Sequence, residues 1–230
     1  VITGYKLGSL LDGSYIPEPV SWVCGRFKLG TESNGGYKNI SLSNCTFMYS
    51  SGLAFEEVDQ GIMENITVSN ITMNHVHHYP IYITTGCRNR GPKERTTVST
   101  GRDIMISNMV ANDVDSLAGI IVTGMPDEPL RNITLSNILL QFRGGGRAEL
   151  AKREYREQGK NYPEPRFAKE TPAYGLFARH VDGLEVNNVT FRTMKPEYRP
   201  AAMLVDVKNE SITNLKADLQ KGAKLIVKKK

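Results

Sequence analysis

A nine-residue pattern of apolar and polar side chains recurs six times along the chain. In the copy at residues 65–73, which reads NITVSNITM, apolar side chains occupy the second and fourth positions. A period of two is typical of a β-strand that buries one face. The sixth position is asparagine in every copy. The copies lie at residues 39–47, 65–73, 103–111, 132–140, 183–191 and 209–217, and their asparagines are Asn44, Asn70, Asn108, Asn137, Asn188 and Asn214.

A second strand-like run precedes most copies of this pattern. These runs are short and rich in apolar residues, and turn residues join each one to the next copy, without a helical period between them. Each repeat therefore holds two short β-strands. The runs lie at residues 52–58, 80–86, 117–124, 173–180 and 200–207, and residues 25–32 open the series.

The spacing of the repeats narrows the choice of fold. Successive copies begin between 26 and 51 residues apart, which indicates a constant core unit with loops of variable length. Repeats built from helix pairs would need about ten or more residues of helical period in each unit. A propeller blade needs four strands in about 40–45 residues. We therefore predict an all-β chain that forms a β-solenoid, with equivalent positions stacked from coil to coil.

The repeated asparagine has a physical explanation in such a stack. An inward asparagine can hydrogen-bond to its copies in the coils above and below, forming a ladder that satisfies backbone groups at the turns. The same repeat produces Asn-Xaa-Ser/Thr sequons, which elsewhere suggest glycosylation. We expect these asparagines to serve the ladder instead, several of them buried. They are Asn39, Asn44, Asn65, Asn70, Asn132, Asn188 and Asn209.

Two longer segments interrupt what we predict to be a single domain over residues 1–230. The larger, residues 144–171, is highly charged and includes a stretch at residues 148–158 that could form a short helix. Long insertions in solenoids lie on one face, often the binding face, although a plain solvated loop explains the composition equally well. The smaller insertion, at residues 86–101, is also rich in basic side chains.

Composition and charge limit the partners of the chain. Its 230 residues carry a formal net charge of +5, with 40% hydrophobic and 23% charged residues, which is ordinary for a soluble globular protein. No apolar run approaches the ~18 residues of a membrane span, so we expect no membrane partner. The basic balance suits a polyanion, either nucleic acid or an acidic polysaccharide, and no recognisable nucleic-acid-binding motif accompanies it.

Three cysteines, Cys24, Cys45 and Cys87, are too few for a disulfide scaffold and leave the possibility of one bridge open. The chain begins at Val1, without methionine, inside a strand-like pattern. We therefore expect the N-terminal coils, with any signal segment, to lie upstream of Val1.

Two stretches are more specific than the strand pattern: GTESNGG, within residues 25–47, and TPAYGLFARH, which opens the stretch TPAYGLFARHVDGLE at residues 171–185. Together with GLAFEEVDQG, ENITVSNITM, RNRGP, FRGGG and YPEP, they resemble bacterial members of glycoside hydrolase family 28, the polygalacturonase and rhamnogalacturonan hydrolase family. The resemblance covers most of the chain. The better-known motifs of that family, Asn-Thr-Asp, Asp-Asp, Gly-His-Gly and Arg-Ile-Lys, do not occur here. Ala54 and Glu56 stand where the two basic residues of the last motif would fall.

The resemblance implies a right-handed parallel β-helix, a single-stranded β-solenoid, that hydrolyses polygalacturonan or rhamnogalacturonan with inversion at the anomeric carbon. In this family aspartates protonate the leaving oxygen and activate a water molecule across an open cleft. Inverting enzymes hold the two carboxyl groups about 6.5–9.5 Å apart. The implied partner is pectin, an acidic plant polysaccharide, rather than nucleic acid. The implied enzyme needs no cofactor and is secreted or periplasmic, and its oligomeric state is left open.

Acidic residues near the expected cleft are the candidates for catalysis. Glu32 and Glu56 end strands that we take as equivalent one coil apart, so we expect them to stack about 4.8 Å apart. Two close carboxylates push one pKa upward, which suits a general acid. Glu57, which must point away from Glu56, and Asp12, in an Asp-Gly turn, complete the set.

The candidates for substrate binding are basic or aromatic. Lys28, Arg88 and Arg90 could meet uronate carboxylates, and arginine suits bidentate pairing. Tyr174 could stack on a sugar ring, and His180 could bond to a hydroxyl, with the filling of a coil edge as the alternative for both.

Two further functions remain open from the residues. A non-catalytic solenoid that binds polysaccharide or serves as a surface adhesin would explain the missing motifs. A polysaccharide lyase on a similar solenoid would use a basic residue and calcium, but the chain lacks a clustered Asp/Asn pattern for that ion. His75, His77 and His78 lack a matching set of carboxylates or cysteines, so we predict no metal site there.

Overall fold

The computed structural model describes residues 1–3, 26–92, 98–116, 119–163 and 170–230, and thirteen strands and one short 3-10 helix lie in them. Asp12 and Cys24 fall outside these residues. Cys45 and Cys87 are free thiols. The strands are β1 Ile2–Thr3, β2 Phe27–Leu29, β3 Tyr37–Ser50, β4 Leu53–Glu57, β5 Ile62–Val76, β6 Ile81–Thr85, β7 Thr100–Val114, β8 Ile120–Thr123, β9 Leu130–Phe142, β10 Leu176–Thr193, β11 Ala202–Lys208, β12 Ser211–Ala217 and β13 Ile226–Lys229, and the 3-10 helix is Ala148–Lys152.

The strands pair in parallel in one sheet of thirteen strands, and ten of them form a continuous path that curls through about 348° around an axis. Long strands form one row, in the order β1, β3, β5, β7, β9, β10 and β12, and short strands form a second row, in the order β2, β4, β6, β8, β10, β11 and β13. The two rows join in β10, whose first half pairs with β8 and whose second half pairs with β9. The all-β prediction is confirmed, and the two predicted runs of most repeats are separate strands, but the runs at residues 173–180 and 183–191 join in one strand, β10.

Bends at the asparagines explain how one long strand can line two walls of the core. In β5 the side chains of Ile66 and Val68 are buried, as alternation requires, and so are those of Ile71 and Met73 beyond the bend. Asn70 stands between them with φ +55°, a left-handed conformation that asparagine tolerates better than most residues. The left-handed residue shifts the alternation of inward and outward side chains by one position. The strand therefore bends there while the apolar side chains on both sides of the bend still face the core.

The asparagine ladder is confirmed, but its predicted inward direction and burial are wrong. Asn70 Nδ2 donates to Asn44 Oδ1 at 3.2 Å, and Asn108 Nδ2 donates to Asn70 Oδ1 at 3.3 Å. The same bond continues through Asn137, Asn188 and Asn214, at 3.1, 2.9 and 2.8 Å. All six side chains are exposed. The left-handed bend turns them outward, because the apolar residues on either side fill the interior. The sequon asparagines are likewise exposed.

Stacked columns of apolar side chains form the core. One column runs from Phe27 through Leu53 and Ile81 on the short strands, and continues to Ile120, Leu176 and Ala202. Each buried aliphatic or aromatic side chain contributes about 1.5–3 kcal/mol from burial alone. The core thus follows directly from the strand register.

The larger insertion covers the outer face of the short strands. Residues 147–163, which we call the strap, lie across this face, and the Tyr155 ring packs on Phe177 with centroids 4.8 Å apart. Only Ala148–Lys152 is helical, so the predicted helix at residues 148–158 is shorter than expected. Since Tyr155 is buried against the sheet, the plain solvated loop is wrong for this part of the insertion.

A buried ion pair fixes both ends of the insertion. Arg199 Nε lies 2.9 Å from Glu197 Oε1, and both side chains are fully buried. Glu197 Oε2 accepts a hydrogen bond from the Gly146 amide at 2.9 Å, while Arg199 Nη1 donates to the Thr171 carbonyl at 3.1 Å. Burial alone would raise the pKa of Glu197, but Arg199 and the Gly146 amide hold it below its usual value. Gly146 and Thr171 lie 25 residues apart in the sequence, and the pair ties both of them to the loop that contains Glu197 and Arg199.

Asn108→Ala tests the ladder, because alanine loses both ladder bonds and adopts φ +53° with strain. We expect urea denaturation to show a loss of about 1–3 kcal/mol in the free energy of unfolding. Asn108→Gly should lose less, since glycine accepts the left-handed conformation. Asn112→Ala, an exposed position on the same strand, is the control. Equal losses for N108A and N112A would contradict a structural role of the ladder.

Candidate functional site

Four carboxyl groups gather at the ends of β2 and β4. Arg88 Nη2 bonds to Asp59 Oδ2 and lies 3.3 Å from Glu32 Oε1, and the Asp59 amide donates to Glu57 Oε1 at 3.2 Å. Burial raises the pKa of the nearby Tyr37 hydroxyl, and the charges of Glu57, Glu56, Asp59 and Glu32 raise it further. The Tyr37 hydroxyl donates to the Glu32 carbonyl at 2.9 Å. We call Glu32, Glu56, Glu57 and Asp59 the carboxyl cluster. It unites three of the four residues predicted for catalysis, and the fourth, Asp12, lies outside the described residues.

Glu57 is buried in a turn that its own side chain stabilises. Its Oε1 accepts hydrogen bonds from the Gly61 amide at 2.9 Å and the Asp59 amide at 3.2 Å. Burial raises the pKa of the Glu57 carboxyl above its usual value, although these amides and the Ser33 hydroxyl act in the opposite direction. A carboxyl with a raised pKa can hold a proton that it later donates.

Asp59, in contrast, is held as a carboxylate. Burial would raise its pKa, but the Arg88 guanidinium and the amides of Arg90 and Ser33 lower it below its usual value. Arg88 Nε lies 3.0 Å from Asp59 Oδ1, and Arg88 Nη2 bonds to Asp59 Oδ2. The Arg90 amide donates to Oδ1 at 3.0 Å and the Ser33 amide to Oδ2 at 3.3 Å. Both oxygens of Asp59 are therefore occupied.

Asp59 was not among the candidates predicted from the sequence, because it lies neither on a predicted strand nor in an Asp-Gly turn. A usable signal did exist. Asp59 and Arg88 are 29 residues apart, close to one coil, and each follows a short strand. Opposite charges in equivalent loops of neighbouring coils are placed to pair across the stack.

Glu56 lies on the outer face of β4 beneath the strap, paired with Lys28 at 2.8 Å from Nζ to Oε2. The predicted stack of Glu32 on Glu56 is wrong. The register pairs Leu29 with Phe55, which puts Gly30 opposite Glu56. A Cβ atom on Gly30 would lie only 2.9 Å from Cβ of Glu56. Glu32 therefore belongs to the loop beyond the strand end.

The three predicted basic residues occupy different environments. Arg88 is only 4% exposed and is bound to Asp59, so its guanidinium is engaged within the protein rather than presented to solvent. Arg90, 63% exposed, lies 3.9 Å from Glu32, whose side chain is 72% exposed. Lys28 pairs with Glu56 and lies 5.7 Å from the centre of the Tyr162 ring. Glu32 and Arg90 are thus the charged groups that meet solvent.

Tyr174 and His180 lie outside the carboxyl cluster. Tyr174 is buried in the core against Phe142 and Phe191, with ring centroids 5.6 and 6.2 Å away, so its predicted stacking on a sugar is wrong. Its position on the last residues before β10 directs the ring inward. His180 lies on β10 beneath the strap, with Nδ1 2.7 Å from Asp206 Oδ2.

The strap reaches the carboxyl cluster through polar contacts. The Tyr162 hydroxyl lies 3.0 Å from Thr31 Oγ1, and the Gly159 carbonyl accepts a bond from the Cys87 amide at 2.8 Å. Tyr82 hydroxyl donates to Gln158 Oε1 at 3.3 Å. Solvent access to the outer face of β4 therefore depends on where the strap lies.

His75, in the group of histidines at residues 75, 77 and 78, contacts an aromatic ring and a carboxylate. His75 stacks on Tyr49 with centroids 4.3 Å apart, and its Nδ1 lies 2.5 Å from Asp113 Oδ2. In the residues that the structure describes, no group of three or more His, Cys, Asp or Glu side chains could hold a metal ion. Nor does any helix there have the length and apolar character to cross a membrane.

The fold and this geometry define an all-β protein with a curled parallel sheet and a cluster of four carboxyl groups at one edge of its short strands. Comparison of the chain with protein-family models, curated proteins and solved structures finds no match. The residues and the geometry of the cluster are therefore the basis on which a function can be inferred.

Glu57→Gln should change how the free energy of unfolding depends on pH. A carboxyl whose pKa is raised by folding stabilises the protein below the unfolded value of 4.5, and this contribution is lost as pH rises through the folded value. In the variant, the free energy of unfolding should not show this loss as pH rises. Urea denaturation of the variant and of wild type across a pH series would measure the difference. Glu57→Ala should instead cost about 1–3 kcal/mol, because two buried amides lose their acceptor. Parallel pH profiles for E57Q and wild type would contradict the raised pKa.

Proposed function

We propose that this chain forms coils of a right-handed parallel β-helix and acts as a glycoside hydrolase on an acidic, pectin-type polysaccharide. The parallel pairing, the curl of the sheet and the stacked columns support the β-helix. Handedness follows from the general rule that crossovers between parallel strands of one sheet are right-handed in about 98% of cases.

The observation that carries the proposal is the contrast between Glu57 and Asp59. They are buried side by side, yet burial pushes the pKa of Glu57 upward while Arg88 and two backbone amides hold that of Asp59 down. Titratable groups whose environments separate their pKa values are the hallmark of paired acid and base roles. Hydrolysis of a glycosidic bond requires one carboxyl group that holds a proton and a second one that is ionised. Glu57 fits the first role, and, besides burial, the fixed negative charge of Asp59 is one of the causes that raise the pKa of Glu57.

The geometry favours particular roles within the cluster. Glu57 is the proton donor to the leaving oxygen, because burial raises the pKa of its carboxyl group. Asp59 is a poor base, since both of its oxygens already accept hydrogen bonds. Glu32 is the better candidate to activate water, because its carboxylate is largely exposed. Glu57 itself is buried, so turnover requires the strap and the neighbouring loops to move.

The charge of the surroundings fits an acidic substrate. Arg90 is exposed beside Glu32, and Lys28 lies beneath Tyr162 at the edge of the strap. The chain as a whole carries a formal charge of +5, which attracts polyanions. Acid–base hydrolysis of this kind uses no cofactor, and a pectin substrate would place the protein outside the cytoplasm, secreted or periplasmic.

A second function is favoured by the covering of the short strands. Glu56 and Glu57 have no exposed surface, and the strap crosses the face on which a cleft would open. A solenoid that binds acidic polysaccharide through exposed basic residues needs no access to these acids. The two functions differ in whether the protein releases new reducing ends.

Hydrolysis is tested by counting new reducing ends after incubation with polygalacturonate and with rhamnogalacturonan. We expect wild-type activity, a loss of about 10²–10⁴-fold in kcat for Glu57→Gln as the proton donor, and a comparable loss for Glu32→Gln. Glu185→Gln, on the exposed face of β10, should behave as wild type.

Unchanged turnover in both E57Q and E32Q would remove these residues from the chemistry. Silence from folded wild type, combined with co-sedimentation with polygalacturonate gel, would favour the binding solenoid.

A further inference from the structure

A second polar site lies at the other end of the strap, away from the carboxyl cluster. A cavity of about 410 Å³ opens there between the strap and the outer face of β10 and β11, within the size range of small-molecule pockets. Its base includes Phe177 and Met203, and Arg179, His180 and Asp206 supply polar groups. The exposed side chains of Lys152, Lys229 and Lys230, together with that of the acid Glu154, also line it.

The basic residues of this cavity are held rigidly. Arg179 Nη1 donates to the Tyr155 carbonyl at 2.5 Å, and Nη2 donates to the Arg156 carbonyl at 3.0 Å. His180 Nδ1 lies 2.7 Å from Asp206 Oδ2, a contact that orients the ring and leaves Nε2 facing the strap. The side chains of Arg179 and His180 are only 8% and 11% exposed. A guanidinium and an imidazole fixed side by side form a receptor for an oxyanion.

A carboxylate already occupies this receptor. Glu157 Oε2 lies 3.0 Å from Arg179 Nη2, and Glu157 Oε1 lies 3.2 Å from His180 Nε2. The two oxygens of one carboxylate thus engage the two basic groups. Glu157 belongs to the strap and its side chain is 46% exposed, whereas the receptor is buried on a strand. Glu157 is therefore less constrained than Arg179 and His180.

We propose that Arg179 and His180 bind the carboxylate of a small hydroxylated acid, such as a sugar acid, and that Glu157 is an internal occupant which this ligand displaces. The cavity beside Glu157 has room for the body of such a ligand, and Asp206 and the lysines offer partners for its hydroxyl and acid groups. Binding here does not require the hydrolysis proposed for the carboxyl cluster.

Glu157→Ala is the direct test, with affinity for D-galacturonate measured by isothermal titration calorimetry on the full chain. If Glu157 fills the site in about nine of ten molecules, its removal should tighten the apparent affinity for D-galacturonate about tenfold. Neutral D-galactose, which lacks the carboxylate, should bind to neither protein. Glu149→Ala, an exposed acid on the same strap outside the cavity, should keep the wild-type affinity.

Two further variants keep the outcome decisive. Glu157→Gln retains the size of the side chain without its charge, and it should also bind D-galacturonate more tightly than wild type if E157A is poorly folded. His180→Gln in the E157A background should weaken binding again. Equal affinities of wild type, E157A and E157Q for D-galacturonate would overturn the proposal, as would equal binding of D-galactose, or no binding by any of them.

Discussion

The left-handed bend at one asparagine in every coil is the constraint on which the rest of the structure depends. A parallel stack can continue only if each coil turns by the same angle at the same place, since its backbone bonds join it to both neighbours. Asn44, Asn70 and Asn108 adopt φ between +53° and +56°, and their amides are bonded in one ladder. The loops between strands can then vary in length without disturbing the core.

Much of this fold could be predicted because it is local and repetitive. The strand at residues 80–86 was placed from its sequence alone, and the structure has Ile81–Thr85 there. The direction of the asparagine side chains could not be obtained in this way. An alternating pattern fixes which apolar residues face inward, but a bend of one left-handed residue reverses the alternation beyond it. Six asparagines at one offset are compatible with either direction, and only backbone geometry decides between them.

The candidate site was harder to predict for a different reason. Its composition depends on strand ends, where one or two residues change which side chains stack. Glu32 lies three positions beyond Leu29, the last residue of its strand, and Gly30 takes the place opposite Glu56. The position of Tyr174 could not be predicted either, because a sequence motif does not determine whether a side chain faces the core or the solvent. Tyr162 and Thr31 are in contact although they lie 131 residues apart in the sequence, and no sequence pattern predicts this contact.

The strap links the two polar sites of the molecule physically. The Glu197–Arg199 pair fixes the ends of the insertion, and between them Tyr155 packs on Phe177 while Gln158 accepts a hydrogen bond from Tyr82. Glu157 touches His180, and its neighbours Gln158 and Gly159 touch the strands that lead to the carboxyl cluster. Only one or two residues along the chain separate these contacts. The covering of Glu56 and the occupancy of the Arg179–His180 receptor are therefore two properties of one segment.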